Sequence, residues 1–243
     1  MNKPTALVTG GSRRIGAEIC RELHREKMDV IIHYNTSSAE ALELQKKLNT
    51  DRPDSAHILQ ADLCLVDNCV SLIDRAFRIN QRLDVLINNA SAFYPTPIET
   101  ISESQWEEMI GVNLKAPLFL SRDSAPYLSK TGGCIINLID IYSNHPLKEY
   151  IIYSVSKNGL VTLTQSLAKE LGPQIRVNGI SPGAILWPEN MPEKDKKAIL
   201  DRTILKRRGE LTDIAHAVRY LVMDATYTTG QILTIDGGRT LFP

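Results

Sequence analysis

The sequence predicts one α/β domain, a doubly wound fold in which helices cover both faces of a mostly parallel seven-stranded sheet. Three observations indicate it: a length of 243 residues suits a single core, short β-branched apolar runs alternate with helix-length segments, and no linker or repeat divides the chain. Parallel strands need a crossover between them, and the crossover is usually a helix. The alternation therefore predicts parallel neighbours.

Seven runs have the length and composition of strands, namely residues 5–9, 30–34, 57–61, 84–88, 134–138, 175–180 and 231–235. Six segments repeat apolar residues near the helical period of about 3.6, namely residues 14–26, 39–49, 66–80, 105–128, 151–171 and 211–223. The interval 184–197 is polar and contains prolines. Ligands of doubly wound sheets bind beyond the carboxyl ends of the strands, so we expect this interval to form a flap over a site.

Composition and charge argue against several classes of protein. The 28 Lys and Arg balance 28 Asp and Glu, so no global positive field would hold a nucleic acid. No apolar run reaches the roughly 18 residues of a membrane span, and the opening MNKPTALVTG lacks the regions of a secretory signal. The four cysteines form no CxxC pair or metal-binding spacing. We therefore expect a cytoplasmic protein with free thiols, no metal, and neither a nucleic acid nor a membrane as partner.

The segment TALVTGGSRRIG joins the first strand to the first helix through a glycine-rich turn. Gly10, Gly11 and Gly16 permit a tight turn and a close approach of the backbone, and the N–H groups that begin the helix point toward an anion. In an α/β chain, this turn predicts a dinucleotide-binding Rossmann fold.

The end of the second strand indicates which dinucleotide binds. NAD-binding units carry an Asp or Glu there, which accepts hydrogen bonds from the ribose 2′-hydroxyl. Here the stretch reads HYNTSS and includes Tyr34, Asn35, Thr36 and Ser37 but no carboxylate. Its donors, together with the arginines of the glycine turn, can hold a 2′-phosphate. The sequence therefore favours NADPH.

Tyr153 and Lys157 form a YxxxK pair, whose i, i+4 spacing places both side chains on one face of a helix. A cation beside a phenol favours the phenolate, so we expect Lys157 to lower the pKa of Tyr153 toward neutrality. The pair is common by itself, and an ordinary surface position is the alternative interpretation.

The chain resembles the short-chain dehydrogenases/reductases over essentially its whole length, because the glycine turn, NNA at residues 88–90, Asn113, YxxxK and Pro182–Gly183 follow that family's order. The resemblance implies that Tyr153 donates a proton, that Lys157 holds the nicotinamide ribose, and that Asn113 supports a water-linked proton relay. The cofactor contacts that it implies are Gly10, Ser12, Arg13, Arg14, Ile15, Tyr34, Asn35, Thr36, Ser37, Asp62, Leu63, Asn89, Ala90, Ser91, Tyr153, Lys157, Pro182 and Gly183. Within that set Asp62 would meet the adenine ring, although a helix cap is its structural alternative.

Two departures from that family's pattern are informative. Arg14 replaces the middle glycine of the usual TGxxxGxG turn, and Asp140 stands where the family's catalytic serine lies, 13 residues before the tyrosine. With NNASAFYPTP at residues 88–97 and LKEYIIYSVSK ending at Lys157, these departures are similar to the pteridine reductases of the same superfamily. A carboxylate accepts N–H donors, or donates a proton when protonated, whereas serine bonds to a carbonyl.

This second resemblance implies a pterin site. Its implied substrate contacts are Arg14, Ser91, Phe93, Asp140, Tyr150 and Tyr153. Phe93 would stack on the planar ring and sandwich it against the nicotinamide, unless it belongs to the core. Asp140 would form a proton relay with Tyr153. Arg14 would bridge the cofactor phosphate and the pterin, and Tyr150 would flank the ring unless it lies on an outer helix face.

The expected reaction is the NADPH-dependent reduction of a dihydropterin to its tetrahydro form, with dihydrobiopterin, dihydromonapterin and dihydrofolate left open. A 3-oxoacyl-carrier-protein reductase, or another short-chain carbonyl reductase, is the alternative, but it should keep Ser at position 140 and Gly at position 14. A cofactor-binding regulator without catalysis is disfavoured by the intact Asn113, Tyr153 and Lys157. By resemblance we also expect a homotetramer, joined through the long fourth and fifth helices and the C-terminal strand region.

Overall fold

The computed structural model describes residues 3–187 and 191–242. The strands of its sheet are β1 (Thr5–Val8), β2 (Asp29–Tyr34), β3 (Ala56–Gln60), β4 (Val85–Asn88), β5 (Cys134–Leu138), β6 (Arg176–Pro182) and β7 (Ile232–Ile235). Its helices are α1 (Arg14–Arg25), α2 (Ser38–Asp51), α3 (Val66–Asn80), α4 (Glu103–Ile110), α5 (Ala116–Leu128), α6 (Ile151–Leu171), α7 (Glu193–Asp201) and α8 (Leu211–Met223).

The sheet confirms the predicted fold class. Its seven strands lie in the order β3-β2-β1-β4-β5-β6-β7, and every neighbouring pair is parallel. The chain moves outward from β1 to β3, then crosses back to place β4 on the other side of β1. The strand order therefore reverses between β1 and β4, which opens a crevice at their carboxyl ends.

Two apolar layers fill the space between the sheet and its helices. Side chains alternate between the two faces of a strand, so Val8 and Ile87 pack in the layer under α1 and α8, whereas Leu7 and Leu86 pack under α3 and α5. All four of these side chains are fully buried. The crevice beyond the strand ends thus stands on rigid elements.

The segment predicted as one helix over residues 105–128 is divided. A π-helical stretch, Gly111–Lys115, separates α4 from α5, and the N–H of Ala116 bonds to the carbonyl of Gly111, five residues back. Pro117 lacks the N–H that an α-helix would present to the carbonyl of Asn113. The wider spacing therefore occurs next to a position where the regular helical hydrogen bond cannot form, and Asn113 lies inside the irregular turn.

The interval 184–197 is not wholly a loop, because its last residues form the first part of α7. Helix α7 has no buried residue among those described. Ile185 is buried, and the N–H of Gly209 bonds to the carbonyl of Ala184, which fixes the start of the interval. Residues 188–190 of the predicted flap lie outside the described residues, as do residues 1, 2 and 243 of the predicted domain.

Candidate active site

The carboxyl end of β5 and the start of α6 bring together the acid and the phenol of the predicted site. Tyr153 is buried, and its Oη donates a hydrogen bond of 2.7 Å to Oδ2 of Asp140. The other carboxylate oxygen, Oδ1, accepts the N–H of Tyr142 at 2.9 Å. Asp140 is therefore held at both oxygens, with one of them on the phenol.

Burial sets the protonation of this pair. Burial raises the pKa of Asp140 above its usual range, although its bonds from Tyr142 and Tyr153 act in the opposite direction. Burial, and then the charge of Asp140, raise the pKa of Tyr153 well above its ordinary value. The predicted lowering of the Tyr153 pKa by Lys157 is therefore wrong, because desolvation and a neighbouring carboxylate outweigh the cation. At neutral pH the phenol keeps its proton.

Lys157 lies one turn along α6 from Tyr153 and is only 2% exposed. Its Nζ donates to the carbonyl of Leu138 at 2.8 Å and lies 5.8 Å from the centroid of the Tyr153 ring. Burial lowers the pKa of Lys157 to about 8, while the charge of Asp140 favours the protonated form. The ammonium group has three donors, so its bond to Leu138 leaves two to act on a ligand or on the phenol.

The side chain of Asn113 holds the loop that follows β4. Its Oδ1 accepts the N–H of Ala92 at 2.8 Å, and its Nδ2 donates to the carbonyl of Ala92 and to Oγ of Ser156, both at 3.0 Å. Oγ of Ser156 in turn donates to the carbonyl of Tyr153 at 2.7 Å. Asn113 thus couples the residue before Phe93 to the turn of α6 that carries Tyr153.

Three aromatic rings form one cluster beside the acid and the phenol. Phe93 is 48% exposed, and its ring stacks on Tyr150 with centroids 4.7 Å apart and planes inclined by 19°. The same ring meets Tyr153 edge-on, also at 4.7 Å. The predicted substrate contacts Phe93, Tyr150, Tyr153 and Asp140 are therefore neighbours, and Tyr150 supports one face of Phe93.

The glycine turn is packed tightly against the start of α1. Gly10 has a φ of 59°, which favours glycine, and a Cβ at Gly16 would lie only 2.6 Å from Nδ2 of Asn89. That Nδ2 donates to the carbonyls of Thr9 and Gly10 at 2.8 and 3.0 Å. Oγ1 of Thr9 accepts the N–H groups of Asn89 and Ala90 at 2.9 and 3.0 Å. The loop after β4 and the turn after β1 therefore form one unit at the crevice.

The two arginines of the turn are exposed, and within the described part of the chain neither has an ion-pair partner. Arg14 has a φ of 52°, a left-handed conformation that is strained for a side chain with a Cβ. Ser12 is buried beside them and Ile15 packs partly on the core. The turn thus presents two cations beside the first N–H groups of α1, which have no acceptors within the helix.

A cleft at the ends of β2 and β3 is lined by Asn35, Gln60, Ala61, Asp62, Asn68, Ser71 and Arg75. Oδ1 of Asp62 accepts the N–H of Cys64 at 3.0 Å. Asp62 does not cap a helix, because α3 begins at Val66 after Leu65. The side chain of Leu63 is buried in the core, so the backbone is what Leu63 can offer to a cofactor.

The remaining predicted cofactor residues lie at strand ends. Tyr34 is partly buried, Thr36 and Ser91 are exposed, and Ser37 precedes the first residue of α2. Pro182 ends β6, and a Cβ at the next residue, Gly183, would lie 2.7 Å from Cα of Asp236.

Sequence reasoning missed Ser156, which carries no motif of its own, and the hydrogen bonds by which Thr9 of the glycine turn holds the loop after β4.

Within the described residues, none of the helices combines the length and the apolar character that a membrane span requires. Among the same residues no three His, Cys, Asp or Glu side chains form a cluster that could hold a metal ion.

Known proteins are similar to this chain over nearly its whole length. A family model described as enoyl-(acyl carrier protein) reductase matches residues 10–240. Pteridine reductase 1 of Leishmania tarentolae is 34% identical, over 98% of this chain and 96% of its own. A ketoacyl reductase 2 named for the granaticin polyketide synthase of Streptomyces violaceoruber is also 34% identical, with the same coverage. Glucose 1-dehydrogenase 2 of Bacillus subtilis is 30% identical, over 98% of this chain and 95% of its own.

The fold and the site define an oxidoreductase that uses a nicotinamide cofactor. With a family match over residues 10–240 and relatives above 30% identity, the chain belongs to the short-chain dehydrogenase/reductase family.

Proposed function

We propose that this chain reduces a dihydropterin to its tetrahydro form with NADPH. The observation that carries the proposal is the 2.7 Å hydrogen bond from Tyr153 Oη to Asp140. A carboxyl group in this place can accept N–H donors of a pterin ring and can exchange a proton with the phenol. The identity of 34% to a pteridine reductase supports this assignment.

The acid chemistry follows from the protonation of the site. When it is bound, NADPH supplies the hydride that the C=N bond of the substrate accepts. Tyr153, whose raised pKa keeps it protonated, donates its proton to the adjacent ring nitrogen. The ammonium of Lys157 stabilises the phenolate left behind. The Asp140 carboxylate, whose Oδ2 lies 2.7 Å from Oη, then takes up a proton from solvent and passes it to the phenolate, and the raised pKa of Asp140 favours that uptake.

The residues of the crevice fit a nicotinamide dinucleotide. The tight approach at Gly10 and Gly16 and the first N–H groups of α1 form a cradle for a pyrophosphate. Arg13 and Arg14 are exposed cations beside it, and the HYNTSS stretch offers no carboxylate to repel a 2′-phosphate. These features support NADPH over NADH. Asp62 and Asn35 line the cleft that we assign to the adenosine half.

The aromatic cluster supports a flat substrate. Tyr150 stacks on one face of Phe93, so we assign the other face to the pterin, opposite the nicotinamide. In this arrangement Tyr150 supports the far face of Phe93 and can reach the substrate at the edge of its ring. We assign Arg14 and Ser91, both exposed at the crevice, to the polar edge of the ring.

A second candidate function is the reduction of a 3-oxoacyl thioester. The ketoacyl reductase of Streptomyces violaceoruber is as similar in identity as the pteridine reductase, and the family model is described by an acyl-carrier reaction. Position 140 distinguishes the two, since a serine hydroxyl donates to a carbonyl whereas an ionised Asp140 would repel its oxygen.

The experiment measures NADPH oxidation by absorbance with dihydrobiopterin, dihydromonapterin, dihydrofolate and an acetoacetyl thioester in parallel. We expect turnover of a dihydropterin, and a fall of about 100-fold or more in kcat/KM for Asp140→Ser and Asp140→Asn, because the relay loses its carboxyl group. Asp201→Asn, an exposed acid at the end of α7, is the matched control and should behave as the wild type. Thioester reduction without pterin turnover would assign the chain to the acyl-type reductases instead.

We further propose a homotetramer in the cytoplasm. Leu118 on α5 and Ile151 and Val155 on α6 are each 40–46% exposed, which supports a helix-mediated interface. The cysteines of the described residues are free thiols, as a reducing compartment would keep them. Light scattering coupled to size exclusion would give four chain masses if the proposal holds.

A further inference from the structure

The imidazole of His33 joins two loops of the cofactor crevice. His33 lies near the carboxyl end of β2 and is 2% exposed. Its Nδ1 accepts the N–H of Gly10 at 3.0 Å, and its Nε2 lies 3.1 Å from the carbonyl of Ala61. Its own carbonyl accepts the N–H of Gly11 at 2.9 Å. One residue thus binds two successive N–H groups of the glycine turn and the loop that leads to Asp62.

These partners require one tautomer. Gly10 offers a donor, so Nδ1 must carry a lone pair, and the carbonyl of Ala61 is an acceptor, so Nε2 must carry the proton. Burial, with a smaller contribution from the charge of Arg75, lowers the pKa of His33 to about 4, so the ring is neutral at pH 7. Both ring nitrogens are therefore used.

The bonds to His33 also decide which N–H groups are left for a phosphate. Those of Gly10 and Gly11 point to His33, below the turn, while the first N–H groups of α1 remain at its open side. The carbonyl of Gly10 is held from the other side by Nδ2 of Asn89 at 3.0 Å. The turn is therefore clamped between β2 and the loop after β4.

We propose that His33 is a positioning residue for the dinucleotide, because its Nδ1 accepts the N–H of Gly10 and so fixes the phosphate turn, while its bond to Ala61 sets the tautomer that makes Nδ1 an acceptor. The inference rests on the cofactor part of the proposed function and is independent of the substrate. It also applies equally to NADPH and NADH, since both carry the pyrophosphate that this turn faces.

Two substitutions separate the two bonds of the ring. The amide of His33→Asn reaches the position of Nδ1 and can accept from Gly10, but it is too short to reach Ala61. The amide of His33→Gln reaches the position of Nε2 and can donate to Ala61, but it leaves the N–H of Gly10 without its acceptor. The dissociation constants of NADPH and NADH are measured without substrate by the fluorescence of the bound nicotinamide, with thermal unfolding recorded for each variant.

We expect His33→Gln to raise Kd about tenfold for both cofactors, because a buried donor loses its partner and the turn is freed. His33→Asn should bind both cofactors nearly as the wild type does, even where its melting temperature falls as far as that of His33→Gln. In assays, KM for the cofactor should rise in His33→Gln with kcat at saturation little changed. Equal Kd values in the two variants, or wild-type binding in His33→Gln, would overturn the proposal.

A measurement on the unaltered protein keeps the inference testable if a variant does not fold. Long-range ¹⁵N–¹H NMR of the imidazole should place the proton of His33 on Nε2, and a proton on Nδ1 would contradict the geometry. A wild type that reduces no pterin, with Kd raised only in His33→Gln, would refute the substrate assignment and leave this inference standing.

Discussion

Replacing Gly16 by alanine should displace the phosphate turn. The added Cβ would lie closer to the carbonyl oxygen of Gly10 than any normal contact, and 2.6 Å from Nδ2 of Asn89. The Gly10 oxygen and Nδ2 of Asn89 cannot move independently, because that Nδ2 donates to the Gly10 carbonyl at 3.0 Å and to the Thr9 carbonyl at 2.8 Å. Relief of the clash needs a shift of roughly 1 Å, given a carbon contact distance of about 3.5 Å.

Such a shift misaligns the N–H groups that begin α1 with a bound phosphate. The loss of a charge-assisted hydrogen bond costs about 2–3 kcal/mol, which corresponds to a rise of about 30- to 150-fold in the Kd for NADPH. Overpacking should also cost about 1–3 kcal/mol in the free energy of unfolding. Fluorescence titration with NADPH and urea denaturation measure the two effects.

Gly111→Ala is the matched control, since the nearest atoms to a Cβ there are Sγ of Cys64, at 3.4 Å, and Cα of Cys64, at 3.6 Å, both at ordinary contact distances. Its cofactor affinity should stay at the wild-type value, and its stability should be equal or slightly higher, because alanine favours a helix. Wild-type affinity in Gly16→Ala would refute the reasoning that the turn is rigid and holds the phosphate.

Three further changes probe other parts of the site. Arg14→Gly should raise the free energy of unfolding by about 1 kcal/mol, because glycine adopts the left-handed backbone without strain. Its Kd for NADPH should rise about tenfold through loss of a cation, so urea denaturation should show a more stable protein and titration a weaker binder. Asn113→Ala removes three hydrogen bonds and should lower kcat about 100-fold by releasing the loop before Phe93, whereas unchanged steady-state kinetics would contradict that role. Burial lowers the pKa of His33 to about 4 in the folded chain, from the usual 6.5 in the unfolded chain, so the neutral ring stabilises the fold fully above pH 6.5. About 3 kcal/mol of the free energy of unfolding is then lost as the pH falls to 4, and urea denaturation curves of His33→Gln should not show this loss.

Apart from α7, which buries no residue among those described, the order of strands and helices was predictable because each element carries its own periodicity. The apolar runs that end near Val8 and Asn88 became β1 and β4, and their place on either side of the strand-order reversal fixes where the crevice lies. The pairing of Tyr153 and Asp140 was also predictable from the family's order, since Asp140 follows the end of β5 and Tyr153 lies in the first turn of α6.

Other features depend on contacts that no local pattern encodes. Pro117 predicts a disturbed hydrogen bond, but not that the turn containing Asn113 adopts π-helical spacing. The buried β2 run reads as an ordinary strand, and only the parallel register of β1, β2 and β3 brings His33 between Gly10 and Ala61. The direction of the Tyr153 pKa was missed for the same reason, because burial is a property of the packed site.

The protonation of the three buried groups bears on the direction of catalysis. Asp140 raises the pKa of Tyr153 and favours the charged form of Lys157, so at neutral pH the site holds a protonated phenol beside an ammonium. A protonated phenol is the form that acts as an acid, which reduction of a C=N bond needs at the nitrogen. Oxidation of an alcohol needs the phenolate as a base, and here a carboxylate at 2.7 Å opposes that form. Asp140, in the place of the family's serine, therefore favours a site prepared for reduction through electrostatics, in addition to the recognition of ring N–H groups that we propose for it.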